Sequence, residues 1–282
     1  MDPFVFVTVL FAAACHAGWN ASIKRTLDPL ATTVLIAIGA GLVALPAIPF
    51  LGWPDAAGWP WLIASIVIHL FYFAGLIESY RTGDLGQVYP IARGAAPLMT
   101  ASMTTALVGE RLGIYGWGGI VMLALGVLLL SMRGGRGLKL DRVAVGFALF
   151  TAVTVCAYSV VDGIGARASG PGHATAYSTI LFAGIAPVVV AYALYRRGTP
   201  VLKQMAPFWR IGLFGGGLAV TSYSIAIWAM TVAPIAIVAA LRETSVLFGA
   251  IIAVVILKEP LRPARIVAAL MIVCGLLLLR VA

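Results

Sequence analysis

Ten stretches of roughly twenty mostly apolar residues follow one another almost without pause along the 282-residue chain. About twenty such residues, wound as a helix, cross a hydrocarbon core about 30 Å thick. The stretches cover residues 3–23, 30–51, 59–80, 85–108, 113–132, 142–163, 173–195, 208–231, 234–256 and 263–280. They predict an all-α polytopic membrane protein with ten transmembrane helices. The connections, such as RTGDLG, GERLG and KEPLRPAR, are too short for a soluble domain, so any activity must reside among the helices. Composition agrees: 62% of residues are hydrophobic and 10% charged, against about 25% charged in an ordinary soluble domain.

The formal charge of +9 would suggest nucleic acid in a soluble protein, but in a membrane protein the distribution of basic residues matters more than their sum. The face reached by the loops after the odd-numbered helices carries fourteen: Lys24, Arg25, Arg81, Arg133, Arg136, Lys139, Arg142, Arg196, Arg197, Lys203, Arg210, Lys258, Arg262 and Arg265. The other face has Arg111, Arg167 and Arg280. The positive-inside rule then puts the first face in the cytoplasm and both termini outside an inner (plasma) membrane, with no nucleic-acid partner. The N-terminal run has its charges after the apolar residues, which reads as a first spanning helix rather than a signal peptide. Cys15, Cys156 and Cys274 have no ligand-like spacing and read as small core residues.

Sliding the chain by 149 residues aligns Arg93 with Arg242, Glu110 with Glu259, Met122 with Met271, Gly126 with Gly275 and a Leu triplet with another: ten identities in thirty-eight ungapped positions. A shift of 142 places Asn20 opposite Asp162, His16 opposite Tyr158 and Arg25 opposite Arg167. The expected units are two five-helix repeats, 1–137 and 138–282. An odd number of crossings inverts the second copy relative to the first, the architecture of many secondary transporters with a midplane site.

Subtracting the orienting charges leaves Arg93, in QVYPIARGAAPLM, and Arg242, in VAALRETSV. An arginine inside the bilayer costs several kcal/mol, so each is either a functional group or tied to a carboxylate such as Glu78 or Glu243. Each lies about 10–12 Å deep from opposite faces at about 1.5 Å per residue, so both can face one central cavity. Pro90, Gly94 and Pro97 are expected to loosen the helix around Arg93. Guanidinium forks suit carboxylate, phosphate or phosphonate groups, so the substrate carries an anionic group. Glu243 directly follows Arg242, and adjacent helix residues do not face each other, so these two should not pair.

Glu243, Glu78 and His16 are candidates for proton coupling. Glu243 could instead hold a substrate amine, Glu78 could pair with Arg81, and His16 and His69 could be hydrogen-bonded structural residues. Tyr89, Tyr158, Tyr223, Trp19 and Asn20 are candidates to line the path, with packing or an interfacial belt the alternative for the aromatics. Asn20 and Asp162 lie near corresponding helix ends, with capping or interhelical hydrogen bonding the alternative to substrate contact. Glu110 and Glu259 end helices 4 and 9 and should complement the N-terminus of the helix that follows each turn. Gly212 and Gly215 to Gly217 should let helices approach closely. No GxxxxGK[ST], HExxH or GxSxG occurs, so ATP-driven pumping and zinc or serine hydrolysis have no support, and neither cofactor, metal nor catalytic residue is expected.

PIARGAAPLMTASMTTALVGERLGIYGWGGIVMLALGVLLL, its second copy APIAIVAALRETSVLFGAIIAVVILKEPLRPARIVAALMIVCGLLLLR, and HAGWNASIK in helix 1 resemble the EamA-type, ten-helix branch of the drug/metabolite transporter superfamily. The strings VYPIARG and LRETSVLFG are similar to a branch associated with phosphonate use. The resemblance implies alternating access, with proton coupling or exchange against a counter-substrate, by a monomer or homodimer. In the second copy Val246 stands where the first has Pro97, so a symmetric site does not follow. A secondary transporter of an amino acid, aminophosphonate or other small organic acid is expected. The alternatives are an exporter of amphipathic or cationic compounds and a membrane sensor or assembly protein without flux.

Overall fold

The structure, a computed structural model, describes residues 1–23, 27–82, 85–131, 142–255, 258 and 263–282. Side chains at 21–23, 29, 79–82, 85–90 and 131 are also outside the description, as are Lys24, Arg25, Arg133, Arg136, Lys139, Glu259 and Arg262 entirely. The described residues contain no strand and wind into ten helical rods in the expected order. They are α1 (Pro3–Ile23), α2 (Pro29–Ala44), α3 (Trp59–Thr82), α4 (Leu85–Met103), α5 (Ile114–Ser131), α6 (Arg142–Ala168), α7 (Ala174–Arg197), α8 (Trp209–Val232), α9 in two pieces (Ile235–Arg242 and Ser245–Val255) and α10 (Pro263–Val281). Among the described residues, eight helical segments are long and apolar enough to cross a membrane, and α5 contributes a shorter apolar one. The protein is a multi-pass membrane protein.

The departures from the expected spans have local causes. Helix α6 continues past 163 to Ala168, because Arg167 reaches carbonyl acceptors on a neighbouring helix instead of water. Helix α4 is regular through Pro97 and ends in a π turn over Thr104–Val108, closed by Gly109 at positive φ. The loosening expected around Arg93 falls instead in α9, where the α-helix stops at Arg242 and resumes at Ser245. Tight turn bonds from Thr244 to Leu241 and from Leu247 to Thr244 satisfy the backbone there.

Small residues decide which rods touch. Helix α2 meets α8 where Gly39 lies against Gly212 and Gly216; a Cβ on Gly39 would overlap the Gly212 carbonyl. Helix α5 meets α10 through Gly119, Gly126 and Gly275, and a Cβ on Gly126 would stand 2.7 Å from Ile272. Helices α3 and α4 pack on α6, and α8 packs on α1, so elements from the two ends of the sequence interleave. The chain ends meet: the N-terminal amine donates to the Arg280 carbonyl at 3.3 Å.

At the basic face, α7 ends in Arg196 and Arg197. Arg196 pairs with Glu78 of α3 at 2.8 Å, and Arg197 with Asp28 at 2.7 Å. Asp28 also caps α2, accepting from the Leu30 and Ala31 amides at 3.0 and 3.2 Å, with Pro29 opening the helix. Burial pushes its carboxyl up, but the hydrogen bonds from Arg197 and the two amides outweigh this and hold it below the usual carboxylate range. Asp28→Ala is expected to lower the apparent Tm in detergent by about 2–4 °C, for a lost cap of about 1 kcal/mol. A lowered carboxyl contributes its stability above the unfolded-state pKa and loses it on protonation, so the difference should shrink as the pH falls through the acidic range.

Candidate functional site

Arg242 and Glu243, at the end of the first piece of α9, point in different directions, as consecutive residues about 100° apart around a helix axis do. Glu243, 4% exposed, turns to α4, where both its carboxylate oxygens accept from Nη1 of Arg93 at 3.2 Å. Because both oxygens share one nitrogen, Nη2 of Arg93 is left for α1, and it donates to Nε2 of His16 at 2.9 Å. A guanidinium can only donate, so His16 accepts at Nε2 and is a neutral imidazole with its proton on Nδ1. Arg93, Glu243 and His16 thus form one neutral unit joining α1, α4 and α9.

Arg242 turns to α8 and lies over the Tyr223 ring, its guanidinium carbon 4.5 Å from the centroid. That is cation–π range. The Tyr158 hydroxyl also lies within hydrogen-bonding reach of it. Among the described residues no carboxylate lies within ion-pair distance of Arg242. The two arginines, equivalent by the 149-residue shift, are therefore not equivalent in place: one is neutralised, the other rests on an aromatic face.

Behind the Tyr223 ring is a buried polar cluster. Tyr223 donates its hydroxyl to Asp162 Oδ2 in a short hydrogen bond, and Tyr177 donates to Oδ1 at 3.0 Å. Ser65 and His69 of α3 face the same carboxylate, and His69 stacks on Tyr158 with centroids 4.4 Å apart. Tyr72 and Phe182 close the aromatic wall around Tyr158 and Tyr223.

Of the residues expected from sequence, Arg93, Arg242, Glu243, His16, Tyr158 and Tyr223 come together. Trp19 borders the group, edge-on to His16 at 5.2 Å. Asn20 is in a different position: its side-chain amide donates to the His16 carbonyl one turn back, a bond within α1. Glu78 stands apart at the basic face, bound to Arg196; the Arg81 side chain lies outside the described residues, as does that of Tyr89. Two polar atoms are buried without a hydrogen-bond partner among the described residues: Trp19 Nε1, three residues from His16, and Ser245 Oγ, two residues from Glu243. Among the described residues no group of His, Cys, Asp and Glu could hold a metal. An apolar surface groove of about 350 Å³ between α5, α9 and α10, lined by Leu130, Leu247, Ile251, Val255, Leu270 and Arg265, touches neither Arg93 nor Arg242.

Interhelical hydrogen bonding, one of the readings open for Asp162, is what the structure shows: two tyrosine hydroxyls from other helices donate to it, though deeper than a span ending at 163 implies, since it is wholly buried inside α6. Sequence reasoning missed where Glu110 acts. Glu110 was expected to complement α5, the helix after its own turn. Its carboxylate instead accepts from the Ile235 and Ala236 amides at 2.7 and 3.2 Å, at the start of α9, and from Arg167 at 3.0 Å. An exposed-amide N-terminus attracts a carboxylate wherever it lies in the sequence.

A family model described as the EamA-like transporter family matches residues 4–132 and, separately, 142–281. The chain belongs to the EamA-like transporter family. This places it in the drug/metabolite transporter superfamily, and it is a membrane transporter of that type. No curated protein matches this EamA family member significantly. A crystal structure described only as that of a protein shares its fold with a TM-score of 0.77, at 20% identity over 98% of this chain and 94% of that one.

Proposed function

We propose that this EamA-family protein is a secondary active transporter that works by alternating access between two inverted halves, 1–137 and 138–282. Its substrate is a small anionic or zwitterionic metabolite such as an amino acid, an aminophosphonate or another organic acid. Arg242 is the group that grips the anion. One observation carries this: Arg93 already has a carboxylate and an imidazole, whereas Arg242 has an aromatic face and no acid partner among the described residues. A guanidinium held this way keeps its fork of N–H donors available to a carboxylate or phosphonate. The unsatisfied Trp19 Nε1 and Ser245 Oγ flank the same cluster, and a zwitterion's remaining polar groups would satisfy them. Arg93, Glu243 and His16 support the site from one side, Tyr158 and Tyr223 wall the other, and Tyr89 and Asn20 belong to helices that border it. The basic face is cytoplasmic and both termini lie outside an inner or plasma membrane, as the distribution of Lys and Arg supports.

The test is a thermal-shift panel of L-serine, 2-aminoethylphosphonate, inorganic phosphate and quaternary ammonium cations, followed by flux into proteoliposomes. Stabilisation by at least one anion or zwitterion is expected, weakened about 10- to 100-fold in apparent Kd by Arg242→Ala, the loss of a charged hydrogen-bonding group of about 1.5–3 kcal/mol. Arg242→Lys should recover little where the fork geometry matters. Stabilisation by cations alone, or an unchanged Kd in Arg242→Ala, would overturn the reading.

A further inference from the structure

We propose that Asp162 is the proton-carrying carboxylate of this transporter, and that a proton and the substrate anion bind together, coupled through Tyr223. This inference rests on Arg242 being the anion-binding group. It concerns a residue some distance from that contact and buried behind it.

Asp162 is 0% exposed in the middle of the wall formed by α3, α6, α7 and α8. A carboxylate there needs strong compensation or a proton. The groups that face it are Ser65 and His69 of α3, Tyr177 of α7 and Tyr223 of α8, with Tyr158 one turn earlier on its own helix. Among the described residues none of these is an Arg or Lys, and no ion pair reaches Asp162. His69 is the titratable group in electrostatic contact with Asp162, and Arg242 is linked to the carboxylate through Tyr223, whose hydroxyl donates to Asp162 while its ring carries the guanidinium. The Arg93–Glu243 pair beyond is neutral as a unit.

That arrangement links the two binding events by charge. With no substrate bound, Arg242 is the counter-charge of an ionised Asp162, at the distance of one tyrosine in a medium of low dielectric. A substrate anion that engages Arg242 takes that counter-charge away. The carboxylate then regains neutrality by taking one proton from the open side, Asp–COO⁻ plus H⁺ giving Asp–COOH, and no other bond changes. The new O–H donates within the cage to an oxygen of Ser65 or a tyrosine, whose hydroxyl turns to accommodate it. Release of the anion on the other side leaves the guanidinium of Arg242, charged throughout, uncompensated again, and the proton leaves Asp162 with the substrate. Because the coupling is reciprocal, a proton on Asp162 strengthens anion binding to the same extent that the anion strengthens proton binding. A carboxylate that only tied four helices together would show neither effect.

The experiment measures proton uptake in weakly buffered detergent solution when L-serine, 2-aminoethylphosphonate or inorganic phosphate is added, alongside the thermal shift. For a probe that stabilises the unmodified protein, uptake of about one proton per bound ligand is expected. In Asp162→Asn, uptake should fall to near zero and the apparent Kd should lose its dependence on pH, whereas Asp162→Glu should retain both. Binding without proton uptake, or equal uptake in Asp162→Asn, overturns this inference and leaves the Arg242 reading standing. Absence of binding by every probe to the unmodified protein overturns both. If Asp162→Asn fails to fold or to bind, the infrared difference spectrum on ligand addition decides instead: a carboxylic-acid C=O band that appears on binding and is displaced in Asp162→Glu supports the assignment, and no such band overturns it.

Discussion

Glu243→Gln is expected to be strongly destabilising, because it strands Arg93. In the wild-type protein the Glu243 side chain is 5% exposed and that of Arg93 12%, so water contributes little to either charge. Removing one partner of such a pair typically costs about 3–5 kcal/mol, mostly from the uncompensated charge left behind. Here the cost falls toward about 3 kcal/mol, since His16 still accepts from Nη2 and the glutamine carbonyl still accepts from Nη1. The size of the effect therefore depends on Arg93 keeping its charge. Arg93→Gln in the same background should restore much of the lost stability, giving a double-mutant coupling of about 2 kcal/mol or more. Apparent Tm in detergent for the wild type, both single variants and the double variant closes the cycle. Additive losses would show that the contact is a neighbour relation without energetic weight. Because Glu243 adjoins Arg242 and the break in α9, the single variant should also weaken anion binding, while the double variant, with no stray charge, should bind more like the wild type.

This pair also shows where a single sequence stops being informative. Arg93 and Arg242 stood out because a guanidinium in an apolar run is costly enough to demand a reason, and the 149-residue repeat put them at matched places. The rule that neighbours on a helix do not face each other correctly separated Arg242 from Glu243. It could not say that Glu243 reaches a residue 150 positions away. The rods were legible from apolar length because each satisfies its own backbone, and Gly212 and Gly216 marked a close crossing, though not that Gly39 would be its partner. The break in α9 was not legible: apart from Arg242 and Glu243 the run IAIVAALRETSVLFGAIIAVV holds nothing that interrupts a membrane helix, whereas α4, with two prolines and two glycines, stays regular. The depth of Asp162 was not legible: the apolar run ends near 163, and the carbonyls that Arg167 finds at Met230 and Ala233 hold the further turn by which α6 continues past it.

Glu110→Ala is expected to loosen the end of the protein opposite the basic face, with consequences larger than its place in a short turn suggests. The carboxylate, 8% exposed, accepts two amides from the first turn of α9 and one guanidinium nitrogen of Arg167 in α6. It thereby ties the α4–α5 turn of the first half to two helices of the second. A lost N-terminal cap costs about 0.5–2 kcal/mol and a lost charged hydrogen bond about 1.5–3, so a loss of roughly 2–4 kcal/mol is expected if this end stays closed. In an alternating-access protein that loss need not appear as unfolding. It can be relieved by opening this mouth, where water takes over the Ile235 and Ala236 amides. A cysteine placed at Ala236, fully buried behind Glu110, should react slowly with a membrane-impermeant maleimide in the wild-type background. In Glu110→Ala it should react at least about tenfold faster, as a shift of about 1.4 kcal/mol in the opening equilibrium requires. Arg167 retains the Met230 and Ala233 carbonyls in the variant, so a parallel collapse of the α6 end would not explain the change. Unchanged reactivity together with a lowered Tm would make Glu110 a cap and nothing more. Faster reaction with a nearly unchanged Tm would make it the latch of that mouth.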